Sequence, residues 1–375
     1  MHTMRLMISG GGTGGHVYPA LAVVEWLTRN RHAAADDFPV ELTDLLWVGQ
    51  RSGIEDGLVS GFDIPYAGIS AAAIRGKKPW ELARAMGILV QGWRQARRLV
   101  KDFKPDVLFV TGGYVCWPVT LAARQAGVPI LIYLPDVAPG LAIKSLARFA
   151  AKVAVTTAQS EQYFRSGQAV VTGYPTRSAL FSGDRTGARQ RLGLLSGAPV
   201  LLVFGGSQGA HSINAALVAN LPDILGRSQV VHVTGRRDIE RVSAQRDLLP
   251  DDVKGRYHVY AYLDQEMVDA LLAADLVVSR AGASTMGELP AVGVASILVP
   301  YPYAGAHQWR NADHLVDAGA AVALPDERLA EQLAPTVLDL LGDNERRGAM
   351  SRAARVLARP DAAANIAREL EVLAG

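Results

Sequence analysis

A chain of 375 residues with 49% apolar and 20% charged residues is globular rather than disordered in composition, and its length suits two domains of about 150 residues each. The formal net charge of +2 gives no reason to expect nucleic acid, and the single cysteine, Cys116, excludes an intramolecular disulfide and a cysteine-rich zinc site. The opening MHTMRLMISGG is too short in apolar residues for a signal-peptide core, and no run of about 18 uncharged apolar residues occurs, so the expectation is a cytoplasmic protein with at most peripheral membrane contact.

Short apolar runs alternate with longer amphipathic stretches along the chain, which predicts βαβα order and doubly wound parallel sheets. In the first half, strands are expected at 5–9, 45–48, 107–110, 129–134 and 152–155, with a helix over 17–29 from the spacing of Val17, Leu21, Val24 and Leu27. In the second half they are expected at 200–204, 229–233, 258–260, 276–279, 296–299 and 321–324; VLFV and VLLVF read as strands buried on both faces. The polar stretch SGDRTGARQRLGLLSGAP follows VVTGYPTRSALF (170–181) and marks the boundary, giving domains 1–175 and 176–375.

Each half begins with a strand, a glycine-rich loop and a helix: MISGGGTGGH (7–16) and LVFGGSQGAH (202–211). Gly10, Gly12 and Gly15 satisfy G-x-G-x-x-G, whose first meaning is a dinucleotide site. No acid follows the second strand before Glu55, and no Lys-Ser or Lys-Thr closes the loop as in a P-loop. Backbone amides in such a loop still approach an oxygen-rich ligand closely. His16 closes the first loop, where a neutral imidazole can act as general base or simply cap and pack. The second loop, 205–209, adds the Ser207 hydroxyl, which suits a diphosphate and also matches the G-x-S-x-G of a hydrolase nucleophile elbow.

Residues 74–104 are strongly basic: nine Lys and Arg face only Glu81 and Asp102, with Ile74, Trp80, Leu82, Met86, Ile88, Leu89 and Trp93 interleaved. This composition suits a helix lying on anionic lipid headgroups, or a core-facing helix with a solvated basic face. Ile74, Lys77, Lys78, Trp80 and Trp93 are the candidate membrane residues. The densest polar stretch, SRAGASTMGE (279–288), follows a buried strand, where an α/β sheet presents ligand contacts. Its one carboxylate, Glu288, can accept both hydroxyls of a ribose. No two aspartates sit two positions apart, so there is no D-x-D pair to hold a metal on a nucleotide diphosphate. The expectation is no metal and no cofactor, with the leaving phosphate stabilised by amides, hydroxyls and cationic side chains.

Taken together, GGGTGGHVYPALAV (10–23), KPDVLFVTGGYVCWP (104–118), GLAIKSLARFAAKV (140–153), GYPTR (173–177), GGSQGA (205–210), SRAGASTMGEL (279–289) and HQWRNADHL (307–315) resemble the MurG glycosyltransferases over nearly the whole chain. The resemblance implies a GT-B fold, two doubly wound Rossmann-like domains with the active site in the cleft between them. The first domain would bind acceptor and membrane, the second the UDP-sugar, and the last helix would pack back on the first domain. It implies inverting transfer of N-acetylglucosamine from UDP-N-acetylglucosamine to the undecaprenyl-linked acceptor lipid I, at the cytoplasmic side of an anionic membrane, as a step of peptidoglycan synthesis.

By position, Thr13, Gly14 and Gly15 would lie near the donor diphosphate and the acceptor phosphate, and His16 would be the base. Arg177 and Ser207 would bind the donor phosphates and sugar, Leu263 the uracil ring, and Arg280 would lie near the nucleotide. Ala283, Ser284, Thr285, Met286, Gly287 and Glu288 would line the donor site, with Glu288 on the ribose and Gln308 on the sugar hydroxyls. Where the family has His-Glu-Gln-Asn, this chain has Tyr133-Leu134-Pro135-Asp136. Asp136 can accept from a sugar hydroxyl, but when ionised it does not donate to an N-acetyl carbonyl as an amide does. Other readings of the residues are a related GT-B enzyme with another UDP-sugar or acceptor, a nicotinamide-dependent oxidoreductase, and a non-catalytic sugar-nucleotide sensor.

Overall fold

The computed structural model describes residues 2–29, 40–73, 78–206, 209–303 and 307–375. The chain divides into two compact units, one of Met1–Thr176 with Asp361–Gly375 and one of Arg177–Pro360.

The first unit is built on seven parallel strands: β1 (His2–Gly10), β2 (Val40–Gln50), β3 (Tyr66–Ile69), β4 (Val107–Gly112), β5 (Ile130–Leu134), β6 (Lys152–Val155) and β7 (Ala169–Val171). They lie in the order β3-β2-β1-β4-β5-β6-β7. Every residue of β4 and β5 is buried, which explains their unbroken apolar runs. Each fully buried Val or Leu there contributes about 1.5–3 kcal/mol. The helices that bear on function are α1 (Gly14–Arg29), α2 (Ile54–Ser60), α3 (Pro79–Phe103) and α4 (Cys116–Gln125). Val17, Leu21, Val24 and Leu27 of α1 are all buried. The last helix, Ala362–Ala374, packs on α1, β4, β5 and β6, and Asn365 donates to the Thr172 carbonyl at 3.3 Å.

The second unit carries β8 (Val200–Phe204), β9 (Gln229–Val233), β10 (Tyr257–Tyr260), β11 (Leu276–Ser279), β12 (Ala295–Leu298) and β13 (Ala321–Ala323). All are parallel, in the order β10-β9-β8-β11-β12-β13. Asp275 fastens an outer helix, Arg185–Arg191, to this sheet: its carboxylate accepts from Val200 N at 2.8 Å and from Arg189 at 2.6 Å, and also pairs with Arg185.

In parallel doubly wound sheets, ligands bind at the carboxyl edge where the strand order reverses. The reversals fall between β1 and β4 and between β8 and β11. The first glycine loop leaves β1, the second leaves β8, and the 279–288 stretch leaves β11. Two strands escape the sequence patterns, β3 and β7. Both are short edge strands, four and three residues long and mostly part-exposed, so neither shows a buried apolar run.

Candidate active site

The first loop has a tightly determined backbone. The fully buried Trp47 donates its indole N–H to the Gly10 carbonyl at 3.1 Å, and Gly11 N donates to Gly112 O at 3.0 Å. Helix α1 starts at Gly14, so the amides of Thr13, Gly14 and Gly15 have no carbonyl four residues back within the helix. They are the donors that a phosphate can use at a helix start. His16 turns its ring back over this loop, with Nδ1 3.0 Å from the Gly11 carbonyl oxygen and 3.3 Å from Thr13 Oγ1. A carbonyl only accepts, so Nδ1 carries the hydrogen, and Nε2 of the neutral ring is left as a proton acceptor. The ring lies against Gly112, where φ is +125° and an added Cβ would stand 2.8 Å from Cδ2 and 2.9 Å from Nε2. Asp136 sits in the turn after β5, at the same carboxyl edge. Beside it Tyr133 belongs to the core: it is fully buried, hydrogen-bonded to Thr156 Oγ1 at 2.9 Å, and its pKa is pushed well above the usual value by burial.

Glu55, the first acid after the second strand, turns inward to the loop. Its Oε2 accepts from Gly12 N at 3.1 Å and its Oε1 from Gln50 N at 2.8 Å. In a dinucleotide site the corresponding acid faces a ribose. Here it and the central loop glycine satisfy each other, which removes the basis of the nicotinamide reading.

In the second unit, Gly206 and Gly209 have φ of +83° and +76°, and an added Cβ on Gly209 would stand 2.3 Å from the Thr234 carbonyl oxygen. Ser207 lies outside the described residues, as do Ile74 and Lys77. A polar network behind the loop fixes the helix His211–Ala219: Asn214 donates to Thr234 O and Asp238 Oδ2, each at 2.8 Å, and its oxygen accepts from His232 Nε2 at 2.9 Å. His232 Nδ1 in turn accepts from the Tyr257 hydroxyl at 2.7 Å. Burial lowers the His232 pKa to about 3, so the folded chain resists a proton that the unfolded chain binds below about pH 6.5. Stability therefore falls as pH drops, by about 2 kcal/mol between pH 7 and pH 5 from this group. Urea unfolding at the two pH values should show that slope reduced in His232→Gln; equal slopes would contradict it.

Several expected donor-site residues converge in this unit. The Glu288 side chain is 17% exposed and lies 3.7 Å from Arg177, which also donates to the carbonyl of Asp264, next to Leu263, at 3.2 Å. Burial raises the Glu288 pKa, against the opposing pull of Arg177 and a hydrogen bond with Ser284. Glu288 projects from the helix Thr285–Val292, preceded by Ala283 and Ser284. Thr285, Met286 and Gly287 are buried, and their amides close turns onto Gly282, Ala283 and Ser284 at 3.1 Å each. The Thr285 and Met286 side chains therefore support the stretch from inside, where Gly287 adds none. Gln308 accepts from Tyr301 N at 2.8 Å through its oxygen, which turns its NH₂ group to the opposite side as donor.

Arg280, expected near the nucleotide, is held from several sides. Its guanidinium pairs with Asp326, donates to Ser212 Oγ at 2.8 Å and Val299 O at 3.3 Å, and stacks 5.2 Å from the Tyr301 ring centroid. It acts as a strut under the start of the His211–Ala219 helix. No local pattern marks Asp326 as its partner, 46 residues away.

On α3, Trp80 is 67%, Met86 49% and Val90 43% exposed. Met86, Leu89, Val90 and Trp93 join Trp117, Pro118 and Leu121 around an apolar groove of about 350 Å³. Lys78, Arg97 and Arg148 lie over the rings of Trp80, Trp93 and Trp117 at 5.4, 5.1 and 5.9 Å. Trp93 is half-buried and donates to Gln125 Oε1 at 3.1 Å, so it forms the groove wall. Among the described residues no helix is long and apolar enough to cross a membrane.

These features define a nucleotide-sugar transferase: residues 6–155 match the glycosyltransferase family 28 N-terminal domain, and residues 200–366 match its C-terminal domain. A UDP-N-acetylglucosamine--N-acetylmuramyl-(pentapeptide) pyrophosphoryl-undecaprenol N-acetylglucosamine transferase of Roseiflexus sp. is 43% identical, over 99% of this chain and 95% of the relative. The protein of that name in Listeria monocytogenes is 38% identical over 97% of this chain and 98% of its own. The crystal structure of Acinetobacter baumannii MurG superposes with a TM-score of 0.73 at 27% identity, over 99% of this chain and 100% of that one. The chain belongs to the MurG family of glycosyltransferases.

Proposed function

We propose that this chain transfers N-acetylglucosamine from UDP-N-acetylglucosamine to lipid I, the undecaprenyl-linked muramyl pentapeptide, with inversion and without a metal ion. The names of relatives similar along their whole length supply donor and acceptor. The observation that carries the chemistry is His16, whose Nδ1 is held by the Gly11 carbonyl at 3.0 Å, leaving Nε2 basic. The acceptor hydroxyl oxygen attacks the anomeric carbon and gives its proton to Nε2. The bond from that carbon to the β-phosphate oxygen breaks, and its electron pair leaves with UDP. The Thr13–Gly15 amides suit the acceptor phosphates, and Asp136 suits a sugar hydroxyl.

On the donor side, Ser207, Arg177 and the backbone at Ala283 and Ser284 suit the diphosphate. Glu288 suits the ribose, Leu263 the uracil and Gln308 the sugar hydroxyls. Thr285, Met286, Gly287 and Arg280 hold that lining in place. Saturating UDP-N-acetylglucosamine should raise the thermal unfolding temperature in the presence of EDTA, and NAD(H) should not. Protection by NAD(H), or by the UDP-sugar only with Mg²⁺, would contradict the reading.

The basic, tryptophan-bearing face of α3 suits the cytoplasmic side of an anionic membrane, where a polyprenyl acceptor resides. Burying one Met or Val side chain is worth about 1.5–3 kcal/mol. A Met86→Glu/Val90→Glu variant should therefore cosediment with phosphatidylglycerol vesicles at least about tenfold less well, since each 1.4 kcal/mol is tenfold. It should still transfer sugar to a water-soluble acceptor analogue; unchanged cosedimentation would remove this face from the membrane.

A further inference from the structure

The first glycine loop is shaped by a carboxylate that takes no part in the proposed chemistry. Glu55 is 1% exposed, and each of its oxygens accepts one amide: Oε1 from Gln50 at 2.8 Å and Oε2 from Gly12 at 3.1 Å. It thus ties the end of β2 to the loop that leaves β1. The space it occupies exists because two neighbours lack side chains. A Cβ added to Gly11 would stand 2.3 Å from Oε1, and one added to Gly53 would stand 2.5 Å from the carboxyl carbon.

The Gly12 N–H and the Gly11 C=O belong to one planar peptide unit, so fixing the direction of one fixes the other. Glu55 grips the N–H end at 3.1 Å, and His16 Nδ1 grips the C=O end at 3.0 Å. The unit lies between two glycines, and Gly12 has φ of +84°, so its flanking torsions offer little resistance to a flip. A flipped peptide would turn its N–H toward His16 and favour the opposite tautomer, with hydrogen on Nε2 and no lone pair there for a substrate proton. A carboxylate accepting from the N–H end also polarises the peptide and strengthens its carbonyl as an acceptor.

We propose that Glu55 is a positioning residue that locks the Gly11–Gly12 peptide and thereby holds His16 as the Nδ1–H tautomer with Nε2 bare. This rests on His16 being the base. Glutamine at this position keeps the volume but offers one acceptor for two amides, and its NH₂ group opposes the second N–H.

The test is ring-¹⁵N NMR of His16 at neutral pH in the wild-type chain and in Glu55→Gln, with kcat and KM for UDP-N-acetylglucosamine measured alongside. The wild type should carry hydrogen on Nδ1. Glu55→Gln should show mixed tautomers and a kcat lowered by about tenfold or more, a part of what a general base supplies, with the KM for the donor near its wild-type value. A wild-type ring protonated on Nε2 overturns the proposal even if no variant folds. So does a Glu55→Gln chain with wild-type kcat and ring shifts, or one in which kcat and KM worsen together while the ring shifts stay put, as a scaffold role alone would give. A wild-type chain that transfers no sugar would end the functional reading instead, and the tautomer measurement would still decide this one.

Discussion

His16→Ala lowers kcat by about 10²–10⁴-fold, the range that a positioned general base supplies. The KM for UDP-N-acetylglucosamine stays near wild type. The ring's hydrogen bonds in this structure, to the Gly11 carbonyl and beside Thr13 Oγ1, belong to the loop of the first unit. Removing the ring thus leaves the donor-lining residues of the second unit in place, and the loss falls on the step in which a proton moves. Steady-state rates at saturating acceptor check this. A variant within about threefold of wild type, a difference under 1 kcal/mol by the rate relation, would remove His16 from the chemistry.

Gly112→Ala reproduces much of that loss while keeping the imidazole. At φ of +125° an L-residue is strained, by about 1–3 kcal/mol, and the new methyl would stand 2.8 Å from Cδ2 and 2.9 Å from Nε2 of His16. One or the other must move, and the ring can do so only by lengthening its bond to Gly11. A misplacement of about 1 Å can cost about 10²-fold in rate. The variant should therefore show a kcat lowered by about that factor together with a reduced unfolding temperature, whereas His16→Ala shows the rate loss with little change in stability. Parallel measurement of both variants by kinetics and thermal melts checks the pairing. A Gly112→Ala chain with wild-type turnover would mean that Nε2 is not where the reaction needs it.

Much of the fold was legible in the sequence because fully buried parallel strands cannot hide. Ile130–Leu134, Val200–Phe204, Gln229–Val233 and Leu276–Ser279 fall where their apolar runs place them. The edge strands β3 and β7 could not be read that way, because a strand paired on one side only tolerates exposed and small residues. In the candidate site, the glycine loops and the place of His16 in the first turn of α1 were legible from spacing. What was not legible was which groups satisfy one another across long sequence separations. Glu55 reaches Gly12 across 43 residues and Arg280 reaches Asp326 across 46, and nothing local announces either pair. Gly112 was likewise silent, since its need to lack a side chain comes from a ring 96 residues earlier in the chain.

Asp136 belongs with the legible part. The turn it occupies at the end of β5 follows from the strand, and an aspartate there accepts but does not donate when ionised. Gln308 offers a donor, because its oxygen is held by Tyr301 N at 2.8 Å and its NH₂ group remains to donate.

The most direct measurement is transfer of labelled sugar to a lipid I analogue, with UDP-N-acetylglucosamine compared against UDP-glucose and UDP-N-acetylgalactosamine in EDTA. The account predicts a lipid II-type product with an inverted, β-configured linkage from UDP-N-acetylglucosamine, formed much faster than from either competitor. No transfer to the lipid I analogue, or equal transfer from UDP-glucose, would contradict it.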